Sequence, residues 1–226
     1  MIMIAILFAV IIGIVQFFSE NIVKISGKYY TQVISFSAGI SITYVFLDLF
    51  PQFSTGVVQT NELLFLTVLF GFIFVHLIEK YAYQHSTDET VDRQLEHINQ
   101  FISVFYHMVL GIVIFDFVEE SLIDALLLIV PILIFTGVST LPVRSHSSLL
   151  VRFFVSLSTF VGVLVAWLLV DFIQTDTQIG LVGFVVGGLL FSVIRHSIPQ
   201  GKKGKPLFFI IGVAVYTPVI LWMVLL

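Results

Sequence analysis

The chain has 226 residues, of which 58% are hydrophobic and 11% are charged, and its mean hydropathy is +1.10. This composition excludes a soluble globular domain and is typical of a protein embedded in a membrane. The formal net charge is −4, and the absence of cysteine excludes disulfides, thiolate metal sites and thiol redox chemistry.

Eight segments approach the roughly 20 residues that a helix needs to cross the hydrocarbon core of a bilayer. They use nearly the whole chain, so the sequence predicts an all-α integral membrane protein with a single membrane domain over residues 1–226. The first segment lacks a basic region and a small-residue cleavage site, and we interpret it as a retained span. The predicted spans lie near residues 2–19, 32–50, 63–81, 98–118, 122–141, 149–171, 179–198 and 206–226.

The charged residues between these segments predict the topology. All ten Lys and Arg fall in every second gap or within four residues of it, and the only charged residues at the other gaps are acidic, such as Glu62, Glu120 and Asp176. Because Lys and Arg are retained on the cytoplasmic side, both termini are predicted to lie outside a cell (plasma or inner) membrane. The acidic outer face has two interpretations. It follows from this sorting alone, or it forms a vestibule that concentrates cations.

Two of the predicted spans share a sequence pattern. Phe36–Gln52 and Phe184–Gln200 are identical at five of 17 positions at a constant offset of 148 residues, including Gly39/Gly187 and the Pro-Gln ending. By the charge assignment the two segments cross the membrane in opposite directions. Inverted repeats are typical of secondary transporters. The alternative is a generic helix with a small residue for packing and a proline after its end.

Polar residues follow one face of the second predicted span. Ser37, Ser41, Tyr44 and Asp48 recur at i, i+4, i+7 and i+11. A polar stripe that ends in a carboxylate must face protein or water, so Asp48 is a candidate pathway residue. The alternative is an interfacial Asp48 hydrated at the helix end. His196 occupies the equivalent position of the second repeat, where it is either a pathway residue or an interfacial one.

The fourth predicted span carries a histidine near its middle. His107 shares a helix face with Gln100, Ser103 and Gly111. An imidazole at this depth needs a partner, and three roles are open: transport ligand, proton relay or satisfied packing residue.

The chain resembles the ZIP (Zrt/Irt-like) family of divalent metal transporters. Residues 37–52 are similar to the family's second span, where Ala-Gly is followed by a His or acid and then Leu-Leu-Pro-Glu; Asp48 occupies the His-or-acid position. Residues 71–81 are similar to the end of its third span. The resemblance implies an eight-helix 3+2+3 inverted repeat, with a first three-helix repeat over 1–81, a central pair over 98–141 and an inverted three-helix repeat over 149–226.

The central pair departs from the family pattern. The fourth-span motif His-Asn-x-x-Asp-Gly aligns with residues 106–111, where only Gly111 is retained and His107 takes the Asn position beside Tyr106. The fifth-span motif His-Glu-x-Pro aligns with residues 128–131 and keeps only the proline. Zinc takes about four N, O or S ligands. We therefore predict no binuclear zinc centre and a weak metal site at most, in which His107 is helped by Asp48 or by Tyr106; the predicted metal ligands are Asp48 and His107.

These observations predict a transporter and not an enzyme. The resemblance implies transport of a divalent metal such as zinc by alternating access, with the lipid bilayer, the transported cation and a possible homodimer as partners. The sequence indicates no resident cofactor and no nucleic-acid patch. A non-transporting ZIP-fold membrane protein (scaffold or regulatory) and a transporter of another small solute are the alternatives. The predicted pathway residues are Ser41, Tyr44, Asp48, Tyr106, His107, Gly111 and His196.

Overall fold

The computed structural model describes residues 1–26, 29–84, 89–138, 149–197 and 204–224, which are helical apart from short connections. Two π-helical turns, Val45–Leu49 and Val193–Ser197, and a 3₁₀ turn, Glu62–Leu64, complete the helical structure of the described residues. Ten α-helices follow one another in these ranges: α1 (Ile2–Ser26), α2 (Tyr30–Tyr44), α3 (Phe50–Gln59), α4 (Phe65–Gln84), α5 (Glu89–Glu120), α6 (Leu122–Val138), α7 (Leu149–Ser156), α8 (Ser158–Leu169), α9 (Thr175–Ser192) and α10 (Pro206–Val224).

Several of these helices are built to cross a bilayer. Two further apolar helices, Glu62–Ile78 and Leu122–Gly137, are shorter than the segments that are long enough to span a membrane. Large apolar side chains such as Phe154 and Trp222 are exposed on the outside of the protein. Hydrophobic surface of this kind is covered by lipid, so the chain is an all-α, multi-pass membrane protein. Five segments in the described residues are long and apolar enough to span a membrane: Ile2–Ser19, Tyr30–Gln59, Leu149–Leu169, Thr175–Arg195 and Pro206–Met223.

The helix that follows α1 is longer than the sequence predicts. The predicted span of residues 32–50 continues through Pro51 to Gln59. The N–H of Phe50 donates to the carbonyl oxygen of Val45, five residues back, in the first π-helical turn. This wider turn accommodates the proline ring that would clash with a regular α-helical turn. The alternative of a generic helix that ends before its proline is therefore wrong for this segment.

The two π-helical turns occupy equivalent places in the chain. Val45–Leu49 and Val193–Ser197 are separated by 148 residues, which is the offset of the sequence repeat. Turns of this type are rare, and they frequently occur at functional sites. Both long helices that carry the repeated sequence thus share the same irregularity.

Two helix pairs are packed backbone against backbone at glycines. α2 crosses α10 where Gly39 meets Gly212, and α4 crosses α9 where Gly71 lies against Phe184 and Gly187 lies against Val68. A Cβ atom at any of these four glycines would overlap a backbone carbonyl oxygen of the opposite helix. Small residues allow this close approach between helices inside a membrane.

A second set of helices packs around α1, which contacts α5, α6 and α8. α5 crosses α8 at Gly111 and Gly162, where a Cβ atom at Gly111 would lie 2.9 Å from the Cα atom of Gly162. The core among these helices is apolar, with Ile12, Leu110 and Leu128 fully buried. Apolar side chains therefore surround the few polar side chains that lie within this core.

Candidate functional site

The polar stripe of α2 and the first π-helical turn lies inside the protein. Its four members, Ser37, Ser41, Tyr44 and Asp48, are all buried, and Asp48 has an exposed fraction of only 3%. The helix continues for almost three turns beyond Asp48, to Gln59. The interpretation of Asp48 as a hydrated helix-end residue is therefore wrong, because it lies within a long helix and is covered by other helices.

Each member of this stripe has a polar atom without a partner. Ser37 Oγ, Ser41 Oγ, Tyr44 OH and Asp48 Oδ2 are buried and form no hydrogen bond within the described residues. An unsatisfied buried polar group costs about 1–3 kcal/mol. Four such groups on one helix face offer hydrogen bonds and lone pairs to water or to a polar ligand.

Asp48 is surrounded by oxygen-bearing side chains from its own long helix (α2 and α3), from α6 and from α10. Gln52, one turn further along the helix, is its hydrogen-bonding neighbour, and Asp124 at the start of α6 interacts with it electrostatically. Tyr44 and Tyr216 are also within electrostatic reach of its carboxylate. No Lys, Arg or His forms an ion pair with Asp48 in the part of the chain described here. Among the described residues the carboxylate thus has no cationic partner.

Tyr216 belongs to this group although the sequence gives no indication of it. It lies in the uniformly apolar α10 and is buried. Its hydroxyl donates a 2.7 Å hydrogen bond to the carbonyl oxygen of Leu127 in α6. A single tyrosine in an apolar helix has no periodic pattern, so only the packing of α10 identifies it.

His107 forms a separate polar cluster with α1. Its Nδ1 lies 2.8 Å from the carbonyl oxygen of Ser103. Because a carbonyl can only accept, the tautomer with its hydrogen on Nδ1 fits this contact, and in that tautomer Nε2 retains the lone pair that could bind a cation. The Gln16 side-chain nitrogen lies 3.2 Å from Ser103 Oγ, to which it donates, and 3.3 Å from His107 Nδ1.

Gln16 is a second site residue that the sequence interpretation missed. It is a partly buried amide in the predominantly apolar α1, and its Oε1 atom is buried without a partner among the described residues. Only its polar side chain within an apolar span indicated a role, because such a side chain needs a partner in the protein. Its contact with His107 joins residues that are 91 positions apart.

The remaining predicted pathway residues have different surroundings. Tyr106 is buried, its hydroxyl has no partner in the described residues, and its ring packs 3.0 Å from a Cβ atom placed at Gly188 in α9. Gly111 lies at the crossing with α8, where it permits close packing. His196 lies in the second π-helical turn, and its side chain is outside the described part of the structure.

The two polar clusters are distinct. No hydrogen bond or ion pair between described residues joins Asp48 to His107. The neighbours of Asp48 come from its own helix, α6 and α10, whereas those of His107 come from α1 and α5. Among the described residues there is no group of three or more His, Cys, Asp or Glu that could hold a metal ion.

Comparison with known proteins gives no match, either to a family model or to a curated protein. The resemblance to the ZIP family therefore depends on the motifs in residues 37–52 and 71–81 and on the order of the predicted spans.

Proposed function

We propose that the chain is a membrane transporter that moves a divalent metal cation through its interior by alternating access. The observation that carries this proposal is the line of Ser37, Ser41, Tyr44 and Asp48, which are buried and keep polar atoms without partners among the described residues. A protein that did not conduct a polar solute would gain stability by closing these groups on one another or by replacing them with apolar residues.

The proposal includes a ZIP-like arrangement of eight spans, with both termini outside. α1, α2–α3 and α4 form the first repeat, α5 and α6 the central pair, and α7–α8, α9 and α10 the inverted repeat. The packing supports this inversion, because the first repeat's α2 pairs with the last span α10 and its counterpart α9 pairs with the third span α4. Phe36 and Phe184, 148 residues apart, supply the carbonyl oxygens that lie against Gly212 and Gly71 respectively.

The two polar clusters suggest how the protein would bind a cation. The Asp48 carboxylate supplies negative charge along the stripe, and the hydroxyls of Ser37, Ser41 and Tyr44 replace part of the hydration shell of the ion. His107 offers a neutral Nε2 lone pair at the second cluster. A site with so few ligands holds an ion weakly, which suits a substrate that must be released.

Uptake into proteoliposomes tests the proposal directly. The purified protein is expected to take up at least one of Zn²⁺, Mn²⁺ and Fe²⁺, and Asp48→Asn is expected to abolish this uptake because it removes the charge while keeping the shape. Asp116→Asn is the matched control, since Asp116 accepts a 2.6 Å hydrogen bond from Gln178 and lies outside the stripe. Lack of uptake of any divalent cation by the parent protein would contradict the proposal.

A second candidate function is a non-transporting membrane protein, such as a scaffold or regulatory subunit with the same fold. The lack of a three-ligand metal cluster in the described residues favours it. This function predicts that the parent protein is folded and takes up no cation, and that the Asp48→Asn protein likewise takes up none.

A further inference from the structure

We propose that Asp48, Tyr44, Tyr216 and Asp124 form an all-oxygen binding site for a hard divalent cation of the Mg²⁺, Ca²⁺ and Mn²⁺ class. The site is inferred from the positions of these four residues in the fold. Its role as the entry site of the transported ion rests on the proposed function.

The four side chains converge from three helices: the continuous helix that holds Tyr44 and Asp48, α6 and α10. Asp48 lies in the first π-helical turn, and Tyr44 is the last residue of α2, one turn before it. Asp124 lies in the first turn of α6, and Tyr216 comes from α10. α10 packs against the first π-helical turn and α6 packs against α2, which brings Tyr216 and Asp124, together with Tyr44, within electrostatic reach of the Asp48 carboxylate. A cation between them would bridge three parts of the protein.

Two unpartnered atoms indicate that the site takes a ligand. Asp48 Oδ2 and the Tyr44 hydroxyl oxygen are both buried and without a hydrogen bond in the described residues. The exposed fraction of Tyr44 is 0% and that of Asp48 is 3%. A buried carboxylate is strongly destabilising unless a charge or hydrogen bonds compensate it. A bound cation would supply the charge that the surrounding residues do not.

The chemistry of these groups determines the class of cation. Carboxylates, hydroxyls and the nearby Gln52 amide are oxygen ligands, which suit Mg²⁺, Ca²⁺ and Mn²⁺. Two carboxylates match a divalent charge. The hydroxyl of Tyr216 gives its hydrogen to Leu127, so its oxygen lone pairs remain available. Histidine and cysteine, which are common zinc ligands, are not among the side chains that face Asp48 in the described structure.

Binding of Mn²⁺ to the detergent-purified full-length protein tests the site without requiring transport. Free Mn²⁺ gives an electron paramagnetic resonance signal that is lost on binding. We expect saturable binding that Mg²⁺ and Ca²⁺ displace. Mn²⁺ that remains free at millimolar concentration, or bound Mn²⁺ that Zn²⁺ displaces and Mg²⁺ and Ca²⁺ do not, would overturn the proposal.

Three variants locate the binding. Asp48→Asn is expected to weaken Mn²⁺ affinity at least about tenfold, because affinity depends on the number of charged ligands. Tyr44→Phe is expected to weaken it by a smaller factor through loss of one oxygen. Asp116→Asn, whose carboxylate is already bonded to Gln178, is expected to leave it unchanged. An unchanged affinity in Asp48→Asn protein that elutes as the parent does on size exclusion would also overturn the site.

The binding and uptake experiments fail in different ways. Mn²⁺ binding that depends on Asp48, with no uptake of any divalent cation, would support the site and contradict the transport function. Uptake that survives in the Asp48→Asn protein, with no Mn²⁺ binding by the parent, would support transport and overturn the site.

Discussion

Gly39 and Gly187, 148 residues apart in the chain, each lie so close to another helix that a Cβ atom would overlap a backbone carbonyl oxygen: that of Phe209 for Gly39 and that of Val68 for Gly187. Each is also an identical position in the two repeated segments. The repeated glycine therefore has the same physical role in both halves, which is to bring two helix backbones together without side chains between them.

Gly187→Ala is expected to lower the free energy of unfolding in detergent by about 1–3 kcal/mol, because overpacking forces the α4 and α9 backbones apart. Gly180→Ala on the same helix is the control. A Cβ atom there would lie 3.5 Å from Thr67 Cγ2, which is an ordinary contact. Denaturation curves of the two proteins check this, and equal stabilities would show that the α4–α9 crossing is looser than described.

Two tyrosines of the Asp48 site should differ in their contribution to stability. Tyr216→Phe removes the 2.7 Å hydrogen bond to Leu127 and is expected to cost about 0.5–1.5 kcal/mol of unfolding free energy. Tyr44→Phe removes a hydroxyl that has no partner in the described residues, so its effect should be neutral or stabilising. Thermal unfolding followed by circular dichroism measures both, and a greater loss in the Tyr44 variant would contradict this assignment.

His107→Ala is expected to reduce cation uptake at least about tenfold while leaving folding nearly intact, if His107 is a ligand in the pathway. His76→Ala is the matched control, because His76 is an exposed histidine on α4 whose ring packs against Phe191 at 5.3 Å between centroids. The measurement is initial-rate uptake into proteoliposomes. Full uptake in both the His107→Ala and the Asp48→Asn proteins would show that the pathway lies elsewhere.

The charge pattern predicts which loops face the outside. Cysteines introduced at Asn61 and Gln174 should react with a membrane-impermeant thiol reagent in intact cells, whereas one at Lys205 should not. All three positions are exposed in the structure, so side-chain burial does not account for a lack of reaction. The parent protein contains no cysteine and gives the background. Labelling of the Lys205 variant but not the other two would reverse the topology.

The sequence by itself determined the properties that depend on local composition. Hydropathy identified the apolar segments, and the 3.6-residue period placed Ser37, Ser41, Tyr44 and Asp48 on one face. These properties follow from neighbouring residues along one helix, so no knowledge of packing is needed. The offset of 148 residues between the repeated segments likewise follows from the sequence, and it equals the spacing of the two π-helical turns.

Only the tertiary structure decided what surrounds these residues. It placed Asp48 inside a helix that continues to Gln59, brought Tyr216 to it from α10, and set Gln16 against His107. Burial and hydrogen bonding depend on which helices pack together, and the two contacts named join residues that are 91 and 168 positions apart. An apolar helix has no local pattern that specifies its neighbour, because in lipid the choice depends on close packing at a few glycines and polar groups.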